Sequence, residues 1–555
     1  MKKIAILLAV LIGFQSCSVA QSSKKKKDEK EETTARRPKL IIGITVDQMR
    51  YDYIEKYWDD FSNDGFKKLV NDGFFARNLH YNYMPTYTAA GHAAIYTGTS
   101  PAYNGILAND WYLRDQDTMI YCTGDGKVRG IGTSSSSGKM SPHRLISTTI
   151  GDELKLFSNQ RAKVIGISMK DRGAILPAGR TADAAYWFVG GTEGNWATSS
   201  WYMDSLPNWV SDYNNSRTAD KYINGKWDLL LSPDKYDESI EDNNAYELPF
   251  KGTTRPAFPY DLAALRELNG NYDLLKSTPF ANTLTTDFAK AVIANEKLGK
   301  GKTTDMLCVS YSGTDYVGHQ FGIHSKEAQD TYIRLDLEIA ALIKYLDETV
   351  GKGEYLLFLT ADHAGVPTPS YHSTFNASAG YWKSDRLEEK VNEFLTIKYG
   401  AAAWIVNETN QNIFLNRTII REKNLDLKKI QMEVAQFVSE QENVLMAFNG
   451  ADLDRFAERT PIASHVQLGY SQRYSGDVIY VLNPGFMEYG MQGTTHGSPY
   501  TADTHVPALF YGFGIKKGES YDHQTICDIA PTITSICKLP MPNACIGEPI
   551  KKLVK

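Results

Sequence analysis

The chain has 555 residues, of which 42% are hydrophobic and 23% charged, with a formal net charge of -5. These ordinary values exclude a disordered, collagen-like or multi-span membrane protein, and the length calls for one large domain with insertions or a few smaller ones. The slightly acidic balance supplies no field for gripping a nucleic-acid backbone, so no nucleic-acid partner is expected and a small anionic substrate stays open.

In chain order, Lys2 and Lys3 precede an apolar run from Ile4 to Phe14, too short to span a bilayer and placed as an export signal over residues 1–20. Ser18-Val19-Ala20 suits cleavage by a signal peptidase, whereas Gln15-Ser16-Cys17-Ser18 suits a lipoprotein site in which Cys17 is acylated. Either ending gives an exported protein, periplasmic or lipid-anchored to the outer membrane. Residues 21–38 hold Lys24 to Lys27 followed by Asp28, Glu29, Glu31 and Glu32, opposite signs that nearly cancel and read as a solvated linker.

From residue 39 to 555 the chain reads as one α/β domain. Leu40 to Val46, Val164 to Ile167, Met306 to Val309 and Tyr355 to Leu359 are short, nearly continuous apolar runs, the pattern of strands buried on both faces. Between the last two, Tyr332, Leu335, Ile339, Leu342 and Leu346 form a stripe spaced by 3 and 4, preceded by Ser325 and followed by Gly351 and Gly353, which predicts an amphipathic helix. Strand, helix, strand in that order argues for a mostly parallel central sheet with helices on both faces. Val478 to Leu482 and Val506 to Tyr511 are later candidates for the same sheet. The rhythm breaks at about 180–285, rich in Trp, Tyr, Asn and Pro, and again at about 385–475, and both stretches are read as inserted cap regions. Once Cys17 is set aside, the remaining five cysteines lack metal-site spacing and read as buried thiols, with one bridge near the C-terminus as the alternative.

Acidic and imidazole residues gather at strand ends. Asp47 ends the first strand, Asp315 and His319 follow the third, and Asp362 with His363 follows the fourth. Open α/β sheets collect ligands at the carboxyl ends of their strands, so these residues are expected to converge in one crevice. His496, in Gly493-Thr494-Thr495-His496-Gly497, offers a further ligand. Mixed carboxylate and imidazole ligands favour zinc over the all-oxygen shells of magnesium and calcium, and a two-metal hydrolase is the reaction class. The nucleophile is sought in Met84-Pro85-Thr86-Tyr87-Thr88-Ala89-Ala90-Gly91-His92, where a helix starting at Thr88 would hold a hydroxyl at its positive end. Thr86 is a rival that spacing leaves open.

In these motifs the chain resembles the alkaline phosphatase superfamily, most of all its phosphate-irrepressible branch related to the type I phosphodiesterases and nucleotide pyrophosphatases. The resemblance runs from about Lys39 to Gly547-Glu548-Pro549-Ile550. It implies an alkaline-phosphatase-like fold and two zinc ions, one held by Asp47, Asp362, His363 and Thr88, the other by Asp315, His319 and His496. It also selects Thr88 over Thr86, because the family nucleophile stands four residues before a His, here His92. Asn109 occupies the place of a family Asn that contacts a phosphoryl oxygen. Ser168-Met169-Lys170-Asp171-Arg172-Gly173 carries the Lys-x-Arg pair of the monoesterase branch, and in an extended segment Lys170 and Arg172 project to one side.

A phosphate monoester presents three non-bridging oxygens and calls for such extra cationic donors. The reading is therefore an exported alkaline phosphatase, monomeric, acting on small phosphate monoesters through a phosphothreonine at Thr88. A nucleotide phosphodiesterase on the same fold is the alternative. A sulfatase would need a Cys/Ser-x-Pro-x-Arg context that is not seen near Thr88, and a non-catalytic binding protein would have little reason to keep the full ligand set.

Overall fold

The structure, a computed structural model, describes residues 36–457 and 459–554; the export signal, Cys17 and most of the charged linker lie outside them. Five strands, Leu40–Val46 (β1), Val164–Ser168 (β2), Ala184–Val189 (β3), Asp305–Tyr311 (β4) and Tyr355–Thr360 (β5), run parallel in the order β5-β1-β4-β2-β3. Every residue of all five is buried, which is why their sequences are apolar without alternation. His505–Gly512 (β6) joins β5 antiparallel, and Phe74–His80 follows β6 toward one edge. The sheet is 11-stranded in all.

Five helices matter for the site: Thr88–Thr97 (α1), Asp171–Ala178 (α2), Phe280–Asn295 (α3), Gly313–Phe321 (α4) and Lys326–Leu346 (α5). The two-residue period of β3 sorts its side chains between layers. Ala185, Trp187 and Val189 cluster with Ala174, Ile175 and Ala178 of α2. Tyr186 packs edge-on against Phe288 of α3 at 5.6 Å, on the other side. Helices therefore cover both faces of a mostly parallel sheet. In α5 the predicted stripe is buried, and Ser325 caps the helix by accepting the N–H of Ala328 at 3.1 Å.

The first insertion differs from its compositional reading at its start. Ala184–Val189 and Asn195–Ser199 are strands of the central sheet, so the aromatic excess there, Trp187 and Trp196 included, fills the core and does not mark a cap. The second departure concerns Val478–Leu482. This strand pairs with Asn412–Leu415 and Val444–Asn449 in a separate 4-stranded sheet, whose own core includes Trp404, Val434 and Tyr480. Five buried apolar residues announce a strand but not which sheet it enters. Cys122, Cys308, Cys527, Cys537 and Cys545 are all free thiols, the first four buried.

Candidate active site

Parallel pairing puts the carboxyl ends of β1, β2, β4 and β5 side by side, and each hands on a polar residue there. Asp47 directly follows β1, and its N–H donates to Tyr311 O at 2.9 Å. Lys170 follows β2. Asp315 lies in the first turn of α4 and His319 one turn later. Asp362 and His363 follow β5, and His496 comes from the distant glycine-bounded loop, in which Gly493 and Gly497 take positive φ.

These side chains meet. Ligand atoms of Asp47, Asp362 and His363 lie within 4.8 Å of one another, as do those of Asp315, His363 and His496. His363 thus stands between the two groups. His319 joins the second through Asp315, its Nε2 being 3.1 Å from Asp315 Oδ1.

The donor set suits divalent metal ions. Nδ1 of His319, His363 and His496 lies at 2.7, 2.8 and 2.7 Å from the carbonyls of Thr494, Ala364 and Thr86. Only a protonated Nδ1 bonds a carbonyl, so each ring keeps its Nε2 lone pair for a ligand role. Asp362 Oδ2 and both oxygens of Asp47 are fully buried and make no well-aligned hydrogen bond. What meets them is positive or ligand nitrogen, Lys170 Nζ at 2.7 Å from Asp47 Oδ2, His363 Nε2 at 3.4 Å from Asp47 Oδ1 and His92 Nδ1 at 3.2 Å from Asp362 Oδ2, as buried carboxylates require.

Charge tells the same story. Asp47, Asp315 and Asp362 are all buried within one cluster. Burial and then the Asp47 charge raise the Asp362 carboxyl. Burial and Asp315 push Asp47 up as well, but Lys170 and His363 reverse this and leave it below the usual range. Asp315 is also held low, because His319 and Lys170 outweigh its burial. His363 rises to about 9, its own burial overcome by Asp362 and Asp47. His496, buried and stacked on His363 with ring centroids 3.4 Å apart, is pushed well down. Three carboxylates thus share a pocket in which Lys170 is the fixed cation, and their pull on His363 marks the place where further positive charge is wanted, a deficit that divalent ions would fill.

Thr88 is the first residue of α1, and its Oγ1 is 3.4 Å from His363 Nε2. The rival Thr86 donates its hydroxyl to Ser498 O at 3.1 Å, facing a backbone carbonyl and not the cluster. Helix α1 approaches closely because position 91 is glycine: a Cβ there would lie 2.1 Å from Asp362 O. His92, one turn after Thr88, puts Nδ1 at 2.8 Å from Thr88 O and 3.2 Å from Asp362 Oδ2, and Nε2 at 2.9 Å from Ser310 Oγ. Lys170 Nζ is 2.7 Å from Asp47 Oδ2 and 2.5 Å from Asp315 Oδ2; these anions raise the ammonium pKa despite its burial.

Asn109 and Arg172 bond to neighbours of the cluster. Asn109 Oδ1 accepts the Ala89 N–H at 3.0 Å, and Arg172 donates from Nη1 to Tyr121 Oη at 3.0 Å. Lys170 and Arg172 line one cavity with Tyr316 and Lys276. A second cavity, walled by Tyr87, Phe486, Met487 and Tyr500, opens at His496. His505, weighed as a supporting group, instead places Nε2 2.9 Å from Arg77 O and stacks between Tyr51 and His80. Sequence reasoning missed Tyr121 and Gln48. The only signal for Gln48 was its place beside Asp47.

Residues 41–506 match the family described as type I phosphodiesterase / nucleotide pyrophosphatase. A protein of Myroides odoratus named calcium-transporting ATPase is 42% identical over 526 residues, 94% of this chain and 95% of its own. Alkaline phosphatase PhoV of Synechococcus elongatus is 39% identical over 557 residues, 100% of both chains. Alkaline phosphatase PafA of Elizabethkingia meningoseptica is 38% identical over 521 residues, 93% of this chain and 95% of its own. The crystal structure of wild-type PafA matches with a TM-score of 0.90 at 38% identity, covering 94% of this chain and 99% of that one. A solved PafA variant, with a TM-score also of 0.90, has a threonine, an asparagine, a lysine and an arginine replaced. Among the described residues no helix is long and apolar enough to cross a membrane.

Proposed function

The chain belongs to the type I phosphodiesterase / nucleotide pyrophosphatase family of the alkaline phosphatase superfamily, and from that premise we propose that it is an exported alkaline phosphatase. It hydrolyses phosphate monoesters through Thr88 and releases inorganic phosphate. The observation that carries this reading is the position of Thr88 Oγ1, 3.4 Å from the His363 that both ligand groups share. The names of PhoV and PafA support it. So do the four residue types replaced in the PafA variant, which are those of Thr88, Asn109, Lys170 and Arg172. A hydroxyl among carboxylates and imidazoles is set for ester hydrolysis, and the transport name of the Myroides odoratus relative is not carried over.

We assign Asp47, Asp362, His363 and Thr88 to one zinc ion and Asp315, His319 and His496 to the other. When bound, the two ions supply Lewis acidity and positive charge at the reacting oxygens. The chain does the rest. Thr88 Oγ1, giving up its proton, attacks phosphorus in line as the P–O bond to the ester oxygen breaks and that oxygen leaves as the alcohol. The phosphothreonine so formed is cleaved by water, which restores the Thr88 hydroxyl and releases phosphate. Standing first in α1, the hydroxyl sits at the positive end of the helix dipole, which favours the anionic nucleophile and the phosphoryl group alike. Asn109, Lys170 and Arg172 orient the three non-bridging oxygens and share their charge, as a loose phosphoryl-transfer transition state requires. Export, ending in the periplasm or in an outer-membrane anchor through Cys17, is part of the same proposal.

The family description keeps the nucleotide phosphodiesterase reading alive, and Lys170 with Arg172 favours the monoesterase. Steady-state kinetics on a matched aryl monoester and aryl diester, with and without added zinc, decides between them. A monoester preference that collapses on replacing Lys170 and Arg172 together by alanine is the expected result. Equal losses on both substrates overturn it.

A further inference from the structure

Gln48 follows Asp47 at the carboxyl end of β1 and holds a φ of 61°, in the left-handed region that residues with a long side chain seldom enter. It is buried, 2% exposed, so water does not account for the conformation. Strained backbone persists where surrounding contacts over-determine it, and here they do. The Gln48 N–H donates to Asp362 Oδ1 at 3.2 Å, Nε2 donates to Asp315 Oδ1 at 2.8 Å, and the carbonyl accepts Tyr332 Oη at 3.1 Å. The amide is oriented by chemistry, since only its NH2 end can face a carboxylate oxygen. Its place is kept free by glycine: a Cβ on Gly318 would lie 1.8 Å from Gln48 Oε1.

The two carboxylates belong to different ligand groups, Asp362 to the first and Asp315 to the second. Asp315 Oδ1, the oxygen Gln48 holds, also faces Nε2 of His319 and of His496 at 3.1 and 3.8 Å. Resting on the metal-binding reading above, we propose that Gln48 is a positioning residue that ties the two halves of the metal centre together. Its main chain fixes Asp362, its side chain fixes the rotation of Asp315, and the left-handed turn lets one residue do both. A glutamine needed only to fill the core would not require strained backbone with donors aimed at two ligand carboxylates.

The test compares the full-length wild type with Gln48→Gly and Gln48→Glu, each loaded with zinc and titrated with a chromophoric chelator, alongside thermal unfolding of the metal-free proteins. Glycine accepts the positive φ and keeps the main-chain bond to Asp362 while deleting the amide. Glutamate keeps the length but turns an oxygen on Asp315. Loss of a supporting hydrogen bond behind a metal ligand costs about 10–100-fold in affinity. One zinc ion should therefore leave Gln48→Gly at about that much lower chelator strength, and Gln48→Glu at least as readily, while metal-free Gln48→Gly unfolds no earlier than wild type. Zinc affinities within about twofold of wild type in a folded variant overturn the proposal, whatever happens to thermal stability. If Gln48→Gly does not fold, Gln48→Glu decides by the same titration. Wild type that retains no zinc overturns the metal reading of the site and the role of Gln48 with it.

Discussion

Asn109 Oδ1 accepts the backbone N–H of Ala89 across 3.0 Å, joining the segment after Gly105 to the first turn of the helix that Thr88 opens. With its oxygen engaged, the asparagine has its NH2 group left for a ligand, and that group is a donor. Asn109→Ala should lower kcat/KM for an aryl monoester by about 10²-fold, the order found when one donor to a developing oxyanion is removed. Asn109→Asp keeps the bond to Ala89 but aims a charge at a dianion, so it should lose at least as much. An Asn109→Asp enzyme near wild-type activity would mean that Asn109 only braces the helix.

Thr88 and Thr86 separate through their partners, not their spacing. Thr88 Oγ1 faces His363 Nε2, whereas Thr86 donates to Ser498 O. Thr88→Ala should reduce kcat by at least about 10³-fold, Thr88→Ser should keep measurable turnover, and Thr86→Ala should stay within about 10-fold of wild type. Acid-quenched turnover followed by peptide mass spectrometry should find phosphate on Thr88. Phosphate on Thr86, or a Thr86→Ala loss matching that of Thr88→Ala, would move the nucleophile.

Tyr121 holds Arg172 in place. Its phenol accepts Arg172 Nη1 at 3.0 Å and donates to Asp171 Oδ1 at 2.7 Å, so it ties the Arg of the Lys-x-Arg pair to the Asp that stands between the two cations. Tyr121→Phe removes both bonds and keeps the ring. Monoester kcat/KM should fall by about 10–100-fold, in line with one hydrogen bond to a charged group, while diester kcat/KM moves less. Equal effects on both substrates would show that Arg172 keeps its place without the phenol.

Much of this arrangement was legible in the sequence, and the parts that were not share a cause. Asp47, Asp315 and Asp362 stand out because each follows a run of buried apolar residues, a local pattern. Helix α5 announces itself by its stripe and by Ser325. Gln48 carries no such mark: its partners Asp315 and Asp362 are 267 and 314 positions away, and its positive φ is imposed by them and not by its own preference. Val478–Leu482 was legible as a strand, but its partners in the small sheet are fixed by packing against Trp404 and Val434. Composition alone reads Ala184–Val189 as part of a cap because Trp and Tyr mark exposed binding surfaces, whereas here Trp187 fills the space between sheet and helix α2 and Tyr186 that between sheet and helix α3.

Glu247 and Glu327 supply a pH dependence whose sign can be worked out. Both are 0% exposed. Burial first, with Glu327 and Asp242 adding to it, raises Glu247 to about 10. Burial and the charge of Asp242 raise Glu327 to about 8 even though the Tyr260 phenol bonds it. In the unfolded chain both ionise near pH 4.3. Between that pH and about 8 to 10 the folded protein therefore binds more protons, so the pair's contribution is most favourable in acid and is lost as pH rises through the folded values. The loss reaches the site by a short route. Tyr246 O accepts the Gly493 N–H at 2.8 Å, and Leu248 N–H donates to Gln320 O at 2.9 Å, next to the loop of His496 and beside His319. Glu247→Gln keeps the shape of the protonated acid and the Asn244 bond to Oε1 but cannot ionise. Its unfolding midpoint should match wild type near pH 5 and exceed it by several degrees at pH 9.5, measured on zinc-loaded protein at both values. Midpoint curves for variant and wild type that run parallel across this range would show that Glu247 does not titrate there, and that the cap segment is held to His319 and His496 by its backbone bonds alone.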